Sequence, residues 1–461
     1  MSPSRLKFFI VAGILAFVLI GGLVIWWIPR TPKKITLEIW GAFDDSDQYA
    51  PLIGKFKQSY PWIEINYKKF PYEEYERALL EAWALGKGPD IFLIHNTWLP
   101  KYQSNVYPLP YDKKNPLTAQ DYQRTFMPVA KQDFVRGDKI YAMPLFVDTL
   151  ALYYNENIFE EMYRNNPDEK WILTPPKTWD ELIKTVNYVA KKDEWGNIER
   201  AGIALGTSNN INRASDILSL IMLQSGAKMV SDNLKAAIFN RSAVVNGISY
   251  NPGERSLSFY TDFANPRKKV YTWNIKRDYS IDDFAEGDVA MMIGYSHLID
   301  TVKKKNPNLK FKVVPVPQIK ESPTPVNYAN YWAPTVSVLS GHKKEAWDFI
   351  RFASSAENVW LYLWRTHRPT ARLDMVSYQE REMPELDAFA RQGITAQSWY
   401  QIDNNAVEKI FLEMIEKVNY SRASASGAVN TAAREISLIM SPPPPPPGPL
   451  KPPDPINLFD R

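Results

Sequence analysis

Cysteine is absent from the 461-residue chain. That excludes disulfides, thiolate metal sites, a cysteine nucleophile and a lipid-modified N-terminal cysteine. Histidine is scarce: the four are His95, His297, His342 and His367, and no two are spaced as a ligand pair, so zinc is not expected. A charge excess of one sign is also missing. The 55 basic and 51 acidic residues leave a net charge of +4 with no basic stripe, and nucleic acid is not an expected partner. No G-x-S-x-G elbow, no G-x-x-x-x-G-K-[ST] loop and no G-x-G-x-x-G after a strand occur, so the common nucleophile and phosphate-binding signatures are lacking. A glycosidase carboxylate pair is defined by spatial separation, so the sequence leaves that reading open. Neither a cofactor nor a catalytic residue is expected.

Aromatic residues, by contrast, are plentiful, with 15 Trp, 25 Tyr and 21 Phe. Most belong in cores, and the excess suits a surface that stacks on flat, partly polar ligands. The chain is long enough for two or three domains. Phe8 to Ile28, "FFIVAGILAFVLIGGLVIWWI", is 21 residues without a charge. At about 1.5 Å per residue it can span a hydrocarbon core of about 30 Å. Arg5 and Lys7 precede it, and it ends in Trp26 and Trp27 without a small-x-small cleavage site, which reads as an uncleaved anchor. Arg30, Lys33 and Lys34 follow it, and the seven-residue stub before it places the large body outside the cell.

Beyond the anchor the pattern is βαβαβ. "ITLEIW" (35–40) and "WIEINY" (62–67) alternate as strands, a helix is expected over 72–86, and "DIFLI" (90–94) is a continuous apolar run, the mark of a strand buried on both faces. This order implies a mainly parallel sheet. "PPKTWDELIKTVNYVAKK" (175–192) carries Thr178 and Glu181 as a capping box, with Trp179 on its apolar stripe. Trp347 lies on the stripe of a second helix, over 341–355, and a third helix spans 405–418; both tryptophans are expected in core. From Ser441 the chain is polyproline, read as an unpacked end, a spacer or a docking segment.

Ligands of open α/β sheets bind at the carboxyl ends of strands. Those ends carry Trp40, Asp44 and Asp45 in "WGAFDD", and Asn96 and Trp98 in "HNTW". The tryptophans could stack and the polar groups hydrogen-bond; the bland alternative puts Trp40 in core and the aspartates on a helix cap. "DDSD" lacks the glycine and distal Glu of a calcium loop. The stretch "GDKIYAMPLFVDTLALYYNENIFE" (137–160) is apolar and extended but holds Pro144 and Asp148. Phe146, Asp148, Leu150, Leu152 and Tyr154 share one face by twos. A lone buried carboxylate among them would cost several kcal/mol, so Asp148 must be paired, exposed or facing a cavity. A strand that crosses between two domains resolves this, with its middle at a cleft floor. "VVPVP" (313–317) is the natural second crossing.

These stretches, with "LEIWGAFDD", "GKGPDIFLIHN", "LQSGAKMV", "FAEGDVAMMIGYS", "FKVVPVP", "SVLSGHKKEAWDFIRFASS" and "RPTAR" in order, resemble the family 1 extracellular solute-binding proteins of ATP-binding-cassette importers, a group that includes the maltose-binding proteins. The resemblance covers roughly residues 35–440. It implies a bilobal periplasmic-binding-protein fold of two α/β lobes joined by hinge strands, between an N-terminal transmembrane helix and a disordered Pro-rich tail. The segments so implied are 8–28 anchor, 36–147 and 316–365 first lobe, 148–315 and 366–440 second lobe, and 441–461 tail. It further implies capture of a sugar or oligosaccharide by hinge closure and delivery to permease transmembrane subunits, by a membrane-anchored monomer on the extracytoplasmic side. Other roles for the same lobes are ligand sensing or surface capture without a transporter. In that family Asp148 falls on a ligand-binding carboxylate, and Trp40 and Asp44 on a ligand loop. The segment Asn96 to Trp98 falls where sugar contacts lie, with different residues. Where the family often has a stacking tryptophan, this chain reads Tyr295, Ser296, His297. Trp332 and Asn404 are the remaining candidates.

Overall fold

The computed structural model describes residues 33–113, 116–245 and 248–441. The expected anchor at 8–28 and the proline-rich stretch after Ser441 lie outside the described residues. Among the described residues no helix is long and apolar enough to cross a membrane.

The first sheet is nucleated by the alternating and apolar runs. Strand β1 (Ile35–Gly41) buries Leu37, Ile39 and Gly41, the positions its period of two sends to one face. Helix α1 (Ser46–Ser59) follows, capped by the Asp45 and Gln48 side chains, and returns the chain to β2 (Ile63–Lys69), which pairs parallel with β1. Helix α2 (Tyr72–Ala84) leads to β3 (Ile91–His95), all five residues buried, which pairs parallel with β1 on its other side. The short β4 (Val106–Tyr107) completes this half.

The 137–160 stretch is not one strand but a series of pieces. Lys139 and Ile140 close a hairpin with Val135 and Arg136, then the chain runs past Pro144 with a single antiparallel bridge, Phe146 to Thr370, before β5 (Asp148–Thr149) and β6 (Ala151–Asn155). Strand character ends at Asn155, whose side chain accepts from the backbone N–H of Asn157 at 3.0 Å and starts a helix at Glu156. Along this stretch the hydrophobic core changes: Val147 belongs to the first core and Leu150 to the second. Among the helices that cover the second lobe are α3 (Trp179–Val189) and α4 (Ala214–Gln224). Strands β7 (Met291–Gly294) and β8 (Phe311–Pro315) flank β6, and both pairings are antiparallel. The second sheet therefore departs from the parallel arrangement that the βαβαβ reading of the first suggests.

The prolines of 311–317 suggested a crossing, yet β8 is a full member of the second sheet, and the core changes only between Tyr328 and Ala329. That point lies in β9 (Asn327–Asn330), which sets Ala329 opposite Thr149 and Asn330 opposite Asp148. Pro315 and Pro317 end the sheet, where no further N–H is needed. Strand β10 (Trp332–Ser337) then joins the first sheet antiparallel between β3 and β4. Helix α5 (Ala356–Thr366) packs on α1. Strand β11 (Ala396–Gln397) adds to β9, and α6 (Asn404–Asn419) lies on the second core. Trp347 and Trp179 are buried, one in each core.

The capping box expected at α3 is present: Glu181 N donates to Thr178 Oγ1 at 3.2 Å, while the Glu181 carboxylate accepts from Thr178 N at 3.3 Å. Replacing Thr178 by Ala leaves the Glu181 amide without this partner. Thr178→Ala should lower the free energy of unfolding by about 1 kcal/mol, read from the midpoint of urea denaturation, with no change in the denaturant slope.

Candidate functional site

The two sheets meet at β5, β9 and β11, and the strand ends around them enclose a cleft of about 390 Å³. The first lobe supplies an aromatic wall. Phe43 follows β1, Tyr72 opens α2 and Trp332 opens β10; the Phe43 ring lies 5.3 Å from Tyr72 and 5.4 Å from Trp332. Phe43 and Tyr72 are 40% and 41% exposed, which makes them a lip and not core. Phe146 adds a fourth ring to the lining.

The polar side of the cleft is built from charges held from behind. Asp148 is buried, and its carboxylate accepts from Thr149 N at 2.9 Å, Ser296 N at 3.1 and 3.2 Å, and Ser296 Oγ at 2.7 Å. The Ser296 donors come from the turn after β7. This turn sits tight on its helix: a Cβ at Gly294 would lie 2.4 Å from a Leu298 methyl. Burial pushes the Asp148 carboxyl up to about 6, against the Ser296 hydrogen bonds and the Arg368 charge. Arg368 donates to Asp44 Oδ1 at 2.9 Å and lies 4.3 Å above the Phe146 ring. Tyr362 of α5 donates to the other Asp44 oxygen at 2.7 Å.

Arg213 occupies a left-handed backbone position, φ 57°, just before α4. Its guanidinium grips Asp216 with two bonds, 2.9 and 3.0 Å, and reaches Glu408 of α6 at 3.4 Å. Asp216 also accepts from Tyr295 Oη at 2.7 Å and Asn330 Nδ2 at 3.2 Å. Burial acts to raise the Asp216 carboxyl, but Arg213 and these donors hold it below its ordinary value. His95 and His297 both line the cleft; burial pushes His95 down to about 4, so it is neutral at pH 7, while His297 stands exposed with the charges of Arg368 and Arg213 acting to lower it.

Of the residues singled out in the sequence, Asp148, Tyr295, His297, Trp332 and Asn404 line this cleft. Ser296 stands behind Asp148. Trp98 also stands one layer back, donating to Asn404 Oδ1 at 2.8 Å and meeting Trp332 edge-on at 4.8 Å. The others lie elsewhere. Trp40 packs against Phe70 at 4.6 Å under Lys68, because its position on β1 points it away from the cleft. Asp44 is consumed by Arg368 and Tyr362. Asp45 caps α1 and pairs with Lys69 at 2.8 Å. Asn96 donates to Asp133 at 3.2 Å and lines a separate chamber of about 470 Å³. Reasoning from sequence missed Phe43, Tyr72, His95, Phe146, Arg213, Asn330 and Arg368. Phe43 and Phe146 were within reach, since one sits in "WGAFDD" and the other two residues before Asp148 on the same face. Arg368 opens the quoted "RPTAR", but nothing in a sequence brings it to Asp148.

A sequence profile of bacterial extracellular solute-binding proteins matches residues 52–385. The maltotriose-binding protein of Pyrococcus abyssi is 23% identical over 314 residues, which are 68% of this chain and 60% of that protein. The melibiose/raffinose/stachyose-binding protein of Bacillus subtilis is 22% identical over 339 residues, 71% of this chain and 72% of that one. Thus the chain spans less than two thirds of the first relative and somewhat more of the second. Among solved structures, a sugar-binding protein from Xanthomonas citri superposes with a TM-score of 0.71 at 17% identity, covering 88% of this chain and 97% of that one. The cyclic α-maltosyl-1,6-maltose binding protein of Arthrobacter globiformis gives 0.70 at 16%, covering 88% and 99%. These superpositions carry the fold.

The raised Asp148 carboxyl has a definite sign. The folded protein holds this proton more tightly than the unfolded chain, so the contribution is full below about pH 4 and is lost as pH rises through about 6. This contribution should fall across that window, by about 1.4 kcal/mol for each pH unit traversed, alongside a fall of the same sign from Asp133, whose carboxyl burial also pushes up to about 6, and a rise from buried His95. The stability difference between the protein and Asp148→Asn should therefore decline with pH by that slope, checked by paired denaturant titrations at several pH values between about 4 and 7.

Proposed function

Because the chain belongs to the bacterial extracellular solute-binding proteins, we propose that its cleft captures a sugar or oligosaccharide and delivers it to the membrane subunits of an ATP-binding-cassette importer. The observation that carries this reading is the facing of an aromatic wall, Phe43, Tyr72 and Trp332, with hydrogen-bonding groups set on the crossing strands. Pyranose rings present C–H faces that stack on such rings, and hydroxyls that pair with groups like Asn330, Asn404 and the two arginines. Relatives named for binding maltotriose and melibiose, raffinose or stachyose support the same class.

Capture requires only that the solute bind the closed arrangement better than the open one. The rim offers contacts that exist only when the lobes meet. Lys101 of the first lobe pairs with Asp403 of the second at 3.0 Å, Asn405 donates to Glu76 at 3.2 Å, and Trp98 donates to Asn404. Rotation at β5 and β9 would break these together. Residues 8–28 anchor the protein, with the lobes on the extracytoplasmic side of the membrane.

The purified full-length chain should melt at higher temperature with one member of a panel of mono-, di- and oligosaccharides, by about 3 kcal/mol in apparent stability at a hundredfold excess over Kd. A flat response across the panel would sink the sugar reading. With the responding sugar, Trp332→Ala should weaken binding at least about tenfold in calorimetry, which is about 1.4 kcal/mol of lost stacking and area. Removing residues 1–30 should move the protein from the membrane to the soluble fraction; retention in the membrane would count against the anchor.

A further inference from the structure

The hydrogen-bonding groups of the cleft are unevenly divided between donors and acceptors. The carboxylate and amide acceptors named in the lining already receive donors from the protein. Asp148 takes Thr149 N, Ser296 N and Ser296 Oγ; the Asn404 amide oxygen takes Trp98; and the Asn330 amide oxygen takes His95 Nε2 at 3.2 Å. The donors are the opposite. Arg368 uses one of its three guanidinium nitrogens on Asp44, and its Nε and Nη1 have no hydrogen-bond partner among the described residues. Arg213 engages three N–H groups of the five that a guanidinium carries, the third only at 3.4 Å. His297, whose neutral ring carries one donor and one acceptor nitrogen, has no hydrogen-bond partner for either among the described residues, and the two charges acting on that ring are Arg368 and Arg213. Arg213 adjoins Ala214 and Ile217 of the second core, whereas Arg368 lies between Leu363 and Ala371 of the first, so the chain just after 366 stays in the first lobe and not in the second as expected; both arginines line the same cavity as His297.

A sugar hydroxyl can accept from a guanidinium, but each one brings an O–H donor with its two acceptor lone pairs. That O–H must find an acceptor in turn, and a donor left unmet in a closing, drying cleft costs about 1–3 kcal/mol. A carboxylate supplies two oxygens with about four acceptor sites and no donor, in the planar geometry that guanidinium forks match. The carboxylates behind the arginines, Asp44 on one side and Asp216 with Glu408 on the other, fix each fork in place and leave its outer edge to the cleft.

Resting on the sugar reading above, we infer that the solute is an acidic sugar whose carboxylate seats between Arg368 and Arg213, one guanidinium from each lobe. The ring stacks on the first-lobe aromatics, and the carboxylate draws the lobes together, because only the closed arrangement brings both forks to it.

The test compares oligogalacturonates of one to three units with their methyl esters and with the corresponding neutral galactose oligomers, on the full-length chain by calorimetry. The ester keeps the ring and hydroxyls and removes the charge. One uronate should bind at least about tenfold more tightly than its ester and its neutral counterpart. Raising salt from about 0.05 to 0.5 M should weaken the uronate and leave the ester unchanged. Arg213→Gln, checked by unliganded melting to be folded, should abolish the preference for acid over ester; Arg368→Gln should do the same, and its loss of fold would leave the ester comparison decisive. Equal or tighter binding of ester or neutral sugar overturns the inference and leaves the sugar reading standing. No response to any sugar, acidic or neutral, overturns both.

Discussion

A charge cannot be left dry between two lobes unless something holds it, and the cleft is organised by that constraint. Asp148, Arg213 and Arg368 each sit where closure would strip water away. Each is held by groups that do not face the solute: Ser296 and Thr149 for the first, Asp216 and Glu408 for the second, Asp44 for the third. The backing groups fix orientation as well as compensating desolvation. Tyr362, one layer out, and Tyr295, in the lining itself, add to the same support, each donating to a backing carboxylate. The walls are therefore firm before any ligand arrives, and the variable part of the molecule is the angle between them.

That angle is set where the chain changes core. Asp148 lies opposite Asn330 in a ladder only a few residues long, and both residues face the cleft. The floor of the site and the crossing strands are thus the same atoms. Few backbone hydrogen bonds join the lobes there, so rotation disturbs little of either sheet. The rim contacts at Lys101, Glu76 and Asn404 are polar and partly exposed, so each contributes modestly and breaks readily.

Much of the fold was legible because local periodicity and capping agree with the tertiary arrangement. The alternation in 35–40, the apolar run at 90–94 and the Thr178–Glu181 box each became the element they suggested. Asp148 stood out because a lone acid in an apolar row is physically improbable without a partner, although Ser296, 148 residues away, could not be named as that partner. The second crossing was misplaced because prolines mark the end of a sheet as readily as a hinge. The site was legible only where a side chain sits on a strand whose face could be counted. Arg213 and Arg368 lie on loops, where no period governs direction. Asp44 reads as a ligand contact because its loop is correctly placed, but its burial beside Arg368, at 2% exposure, gives it a different task.

The strand ends beneath the cleft have two sides. His95 faces the cleft while Asn96 faces the rear chamber; Asn330 and Trp332 face the cleft while Tyr331 between them donates to Asp133, which lines the rear chamber. This partition is one strand thick, and neighbouring residues serve opposite compartments. A shift of this backbone that moves a rear-facing side chain therefore also moves its front-facing neighbour. Recognition and hinge stiffness are written in adjacent letters, so the aromatic lip at Phe43 and Tyr72 is freer to change than the floor.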